Sequence, residues 1–199
     1  DYCECAKCHN NIKDQEKRET FNNIIMNYKK KEIIRKGQDG NLPGFEETPV
    51  STTWKSPFFF VQAADTQLGM IDQWVGRHQY PNISWEREIE LCRQSVKILY
   101  DMRPRPAFFI VCGDLVDAFP DRWPDIRKAQ EKDFLDIYSE LDPEIPLLCV
   151  CGNHDVGNRP TKNTIAKYQN TFGDDYFSFW YQGVHFIVLN SQLLSLIHI

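Results

Sequence analysis

Short apolar runs alternate along the chain with longer stretches in which apolar residues recur every third or fourth position. Phe58 to Ala64 forms a continuous β-prone run that stops at Asp65, as a strand buried on both faces does. In "SWEREIELCRQSVKILYDM" the residues Trp85, Ile89, Cys92, Val96 and Leu99 fall at steps of three and four. That spacing predicts an amphipathic helix, which Pro104 and Pro106 end. Ala107 to Cys112 reads as a second buried strand, closed by Gly113-Asp114, and "DIRKAQEKDFLDIYSEL" as a second helix with Ile126, Phe134, Ile137 and Leu141 on its apolar side. "IPLLCVCGNH" is the third strand, and a short helix follows from about Thr164 to Phe172. "YFSFWYQGVHFIVLN" reads as a hairpin turning at Gln182-Gly183. The order β-α-β-α-β plus a hairpin predicts an α/β fold, with a mainly parallel sheet carrying helices on its faces.

Residues 1–53 break this pattern. They are polar and charged, with loose helical spacing, and end in the Gly/Pro/Thr-rich "GQDGNLPGFEETPVSTT". They read as an extension and linker ahead of a domain over 54–192, with an apolar tail over 193–199. Net charge is -5, which argues against a nucleic-acid partner. No stretch reaches the ~18 apolar residues of a membrane span, and no leader peptide is recognisable, so the expectation is a cytoplasmic protein, monomeric and off the membrane. Of seven cysteines, Cys92, Cys112, Cys149 and Cys151 lie in apolar runs and read as small buried hydrophobes, not a disulfide framework. Cys3, Cys5, Cys8 and His9 are zinc-ligand types, but their spacing has no second knuckle, and the role of the cluster stays open.

The polar residues at the strand ends carry the chemistry. In a parallel sheet the carboxyl ends of the strands share one edge, where ligands bind. Asp65, Asp114 and Asn153 each follow a strand and so are expected to converge there. Two carboxylates at a desolvated edge repel and resist ionisation; a bound cation removes that penalty, and carboxylate, amide and imidazole suit Mn²⁺, Fe or Zn²⁺. Two divalent ions ~4 Å apart repel by roughly 16 kcal/mol at an effective dielectric of ~20, so a pair needs an anionic bridge, for which Asp114 on the middle motif is placed. His154 then stands beside the ions as a proton donor, oriented by Asp155.

Asp65-Thr66-Gln67, Gly113-Asp114-Leu115-Val116-Asp117 and Gly152-Asn153-His154-Asp155 occur in this order, each after a strand. Together they resemble the calcineurin-like metallophosphoesterases. The resemblance covers roughly residues 54–192 and implies the N-terminal part of that family's α/β sandwich. It also implies a phosphoric monoester hydrolase, a serine/threonine phosphoprotein phosphatase acting on phosphoprotein substrates with two divalent ions of Mn, Fe, Zn or Mg. Under it Asp65 binds one ion, Asp114 bridges, Asn153 binds the other, and His154 acts on substrate with Asp155. Gln67 stands where the family has His, so it and Asp117 are expected to support the ligands from behind.

The family pattern continues with a His after a further strand and a G-H-x-H, and neither is present. Of five histidines, only His154 fits a motif: His9 precedes the motifs, His78 lies between the first and second, His185 within the hairpin and His198 within the tail. The chain therefore reads as the front part of a longer enzyme, with an incomplete sheet, a partial site and weak or no activity. Two rivals stay open: a non-catalytic fragment or short isoform, and a phosphodiesterase or nucleotide phosphatase of the same superfamily. Trp74, Tyr80, Trp85 and Trp123 in the intervening loops either wall a substrate cleft or cap the sheet.

Overall fold

The computed structural model describes residues 34–76 and 78–195. The loosely helical spacing ahead of residue 34, the Cys3/Cys5/Cys8/His9 cluster and His198 lie outside them. Three short strands, β1 (Val61–Ala64), β2 (Phe109–Cys112) and β3 (Leu147–Val150), form a parallel sheet in that spatial order. Ala64 pairs with Cys112, and Cys112 with Val150, so the three strands end level. Between them run α1 (Met70–Trp74), α2 (Glu86–Asp101) and α3 (Pro124–Tyr138). After β3 come α4 (Asn153–Val156) and α5 (Lys162–Phe172), the antiparallel pair β4 (Phe177–Tyr181) and β5 (Val184–Val188), and α6 (Ser191–Ser195).

The pattern of apolar residues explains the layers. Cys92, Val96 and Leu99 of α2 and Phe134 and Ile137 of α3 pack with Phe109, Val111 and Cys149 on one face of the sheet. Phe108, Ile110 and Leu148 face the other way and meet Phe177, Phe179 and Val188 of the hairpin. The hairpin turns at Gln182 (φ 45°) and Gly183 (φ 82°), the two positive φ values a two-residue primed turn requires. β1 differs from expectation: its residues alternate between half-buried and exposed, because among the described residues it pairs with β2 alone and forms the sheet edge.

The domain also begins earlier than sequence places it. One compact unit runs from Ile33 to Ile199, so much of the stretch assigned to a linker belongs to the fold. Ile34 bridges Leu147 at the start of β3, and Arg35 N–H donates to the Leu147 carbonyl at 2.9 Å. Leu42 is fully buried against the hairpin side of the sheet. Gly173 (φ 90°) admits this strap, since a Cβ there would lie 2.6 Å from that of Lys36. The strap has few apolar residues, which is why composition disguised it. Leu42→Ala is expected to cost about 2–5 kcal/mol, the usual loss for a buried leucine; urea unfolding measures it, and a loss under about 0.5 kcal/mol would mean that the strap is only loosely seated.

Candidate active site

The level strand ends place three loops side by side. Asp65 N–H donates to the Gly113 carbonyl at 3.1 Å, and Gln67 N–H to the Asp114 carbonyl at 2.9 Å. Thr66 Oγ1 ties the same loop to the Leu115 carbonyl at 2.8 Å. Asp65, Gln67 and Asp114 all have positive φ (53°, 35° and 46°). Such strain in residues other than glycine persists where surrounding structure fixes it, and it concentrates at functional sites. Gly152 faces this corner. A Cβ at Gly152 would sit 2.2 Å from Asp114 Oδ1, so the missing side chain is the space the carboxylate occupies.

β3 passes straight into α4, which sets Asn153 and His154 on its first turn. His154 N–H donates to Asp114 Oδ1 at 2.9 Å. The Asn153 amide donates to Asn158 Oδ1 at 2.8 Å, which directs its NH₂ away and leaves its carbonyl oxygen as the donor atom for a ligand. His154 Nδ1 lies 2.6 Å from the Asp117 carbonyl; a carbonyl only accepts, so Nδ1 carries the proton and Nε2 the lone pair. Nε2 is 3.2 Å from the Gln67 amide nitrogen, which donates to it and to Asp117 Oδ1, also at 3.2 Å. Tyr80 O–H donates to Asp117 Oδ2 at 2.6 Å and its ring stacks on Trp123 at 5.3 Å. Burial, foremost, and the Asp117 charge push the Tyr80 hydroxyl well up, so it remains a donor.

Burial foremost holds the Asp114 carboxyl above its usual range, and Asp65 and Asp117 add to the effect, against the His154 hydrogen bond. The corner is thus short of positive charge. Its oxygens (Asp65, Asp114 and the Asn153 carbonyl) match what hard or borderline divalent cations accept. They fit such an ion in kind, but not as a complete set: among the described residues no three His, Cys, Asp and Glu side chains gather in a metal-holding arrangement.

Sequence comparison decides the family. A profile of the calcineurin-like phosphoesterases matches residues 60–197. The chain belongs to that family. The match runs on through most of 193–199, correcting the expectation of an unrelated tail. This phosphoesterase chain is also 50% identical over 143 residues to the serine/threonine-protein phosphatase CPPED1 of Bos taurus, covering 71% of the chain and 45% of that protein. It is 41% identical over 161 residues to the Danio rerio protein of that name (80% and 51%) and 45% identical over 141 residues to the Homo sapiens one (70% and 44%). The chain spans about half the length of these relatives.

Within the phosphoesterase domain, Asp155 does not do what its place after His154 suggests. It is fully buried, and its carboxylate accepts from Gly152 N–H at 2.8 Å and from Leu115 N–H at 3.2 Å. It faces Arg127, whose guanidinium lies 3.6 Å away. Asp155 therefore clamps the second and third motifs together, capping α4 from its third residue, while Asp117 orients His154. Burial, foremost, raises the Asp155 carboxyl to about 6 against the opposing pull of Arg127. Arg127 also donates to the carbonyls of Ala118 and His154, at 3.0 and 2.8 Å. Sequence reasoning overlooked Arg127, although a charged residue in phase with Gln130, Phe134 and Ile137 marks a buried cation. Of the loop aromatics, Tyr80 reaches Asp117 and stacks on Trp123, Trp85 donates its indole N–H to Asp133 at 2.8 Å, and Trp74 is exposed. His185 stacks on Trp180 within the hairpin, and His78 pairs with Asp72.

Proposed function

We propose that this domain belongs to a metal-dependent phosphoprotein phosphatase that hydrolyses phosphate monoesters of serine or threonine. The reading is supported most by one observation: Asp65, Asp114, Asn153 and His154 meet at one sheet edge, with His154 held in a single tautomer. The names of its relatives supply the substrate class. Two divalent ions, drawn from Mn, Fe, Zn or Mg, would be held by Asp65, Asp114 and Asn153, with Asp114 between them; bound there, they supply Lewis-acid polarisation of phosphate oxygens and a water of lowered pKa. His154 supports the leaving group. With Nδ1–H fixed on the Asp117 carbonyl, any proton delivered to a leaving oxygen sits on Nε2. Tyr80 and Gln67 hold the Asp117 carboxylate, and so the imidazole, in place. We also propose that a version extended to its relatives' length turns over faster than this chain.

His154→Ala tests the assignment. It is expected to leave Mn²⁺ content intact while p-nitrophenyl phosphate turnover by the extended version falls about 10²–10⁴-fold, the usual worth of a positioned general acid. Loss of metal together with activity would make His154 a ligand instead.

A further inference from the structure

A groove of about 330 Å³ opens beside the site, with Phe119 to Arg122 on one wall and Gly157 to Arg159 on the other. It joins the strand-end corner at two places. The Phe119 ring lies 4.3 Å from the His154 imidazole, and Asn158 accepts from the Asn153 amide. The carboxylate in its wall, Asp121, is matched by Lys167 at 3.2 Å. Arg122 and Arg159 are both exposed, and among the described residues no carboxylate pairs with either. The Arg122 guanidinium rests 5.2 Å from the centre of the Phe119 ring. Because the whole chain carries a net charge of -5, an anion is repelled over much of the surface, and attraction at this rim is local.

We infer that this groove receives acidic side chains flanking the phosphorylated residue of a protein substrate, with Arg122 and Arg159 selecting them. The inference rests on the phosphatase reading above. Guanidinium groups suit carboxylates through their planar fork of donors. Through the Phe119 ring, Arg122 is within about 10 Å of His154, roughly three residues of extended chain. The selected acid therefore lies within about three residues of the phosphorylated one. A nucleotide's second phosphate fits less well, because a base needs an open aromatic face and Arg122 already covers that of Phe119.

Fluorescence anisotropy with the full chain and Mn²⁺ tests this. The probes are a phosphoserine peptide flanked by Asp, the same peptide flanked by Asn, and unphosphorylated versions of both. The Asp-flanked phosphopeptide is expected to bind about three- to tenfold more tightly than the Asn-flanked one. That advantage shrinks as salt rises and vanishes in the Arg122→Gln, Arg159→Gln double variant, whose surface positions spare the fold. Equal affinity for the two phosphopeptides, or a preference that survives in the double variant, overturns the inference and leaves the phosphatase reading standing. Asp preference with no gain from phosphate overturns the phosphatase reading and, with it, the substrate assignment. Tighter binding of ADP than of either phosphopeptide overturns it in favour of a nucleotide.

Discussion

Asp114→Asn is expected to weaken Mn²⁺ binding by at least about 100-fold, and by more than Asp65→Asn. Removing a partner that only supports a ligand costs about 10–100-fold, and Asp114 is proposed as a ligand shared by two ions. The substitution is also a clean one. An asparagine oxygen still accepts the His154 N–H that Asp114 Oδ1 accepts at 2.9 Å, and the Gly152 gap still admits the side chain. Only charge and one donor oxygen are lost. Calorimetric Mn²⁺ titration of both variants, with thermal melts to confirm folding, measures the difference. Equal losses at the two positions would show that Asp114 serves one ion and not two.

Asp155→Ala is expected to have the largest effect on stability, about 3–5 kcal/mol, the usual cost of removing one partner of a buried ion pair. The truncation leaves the Gly152 and Leu115 N–H groups without their acceptor and Arg127 with Glu131, at 2.7 Å, as its remaining charged partner. That is a large fraction of the ~5–15 kcal/mol that holds a domain together. Asp155→Asn keeps an acceptor oxygen and is expected to cost much less. The two variants also separate geometry from charge. The folded carboxyl titrates at about 6, above its ordinary 3.8, so the folded state holds the proton more tightly than the unfolded chain. Stability from this group is therefore full below about pH 4 and declines as pH rises through 6. Urea unfolding of wild type and Asp155→Asn between pH 4 and 7 is expected to show that decline in wild type and a flatter curve in the variant. Parallel curves would mean that Asp155 is ionised in both states throughout.

The period of apolar residues was enough to read α2, α3, β2, β3 and the hairpin, because each buries a face that its spacing announces. Asp65, Asp114, Asn153 and His154 were legible for a related reason: a polar residue that ends an apolar run in a parallel sheet has one edge to go to. What stayed hidden depends on contacts between segments far apart in sequence. Nothing local tells that Asp155 turns inward to Leu115 and Arg127 while Asp117, 37 residues ahead of His154, supplies the carbonyl that fixes its ring. Tyr80 reads in the sequence as a loop aromatic, but its bond to Asp117 needs the fold. The strap from Ile34 to Leu42 was missed because two buried side chains in a polar stretch leave no periodic signal.

The position of β1 gives the donor set unequal mechanical footing. Asp114 follows the middle strand, paired on both sides, and Asn153 follows β3, which is paired with β2 along its length and braced by Ile34 at its start. Asp65 hangs from a strand with one ladder and half-exposed side chains. The spacing between Asp114 and Asn153 is therefore set by two strands that are each braced on both sides at some point, whereas that between Asp65 and Asp114 is set by one ladder and the loop bonds to Gly113, Asp114 and Leu115. Any displacement at this edge would fall first on the Asp65 side, which has a strand on one flank only, while the corner that orients His154 keeps its shape.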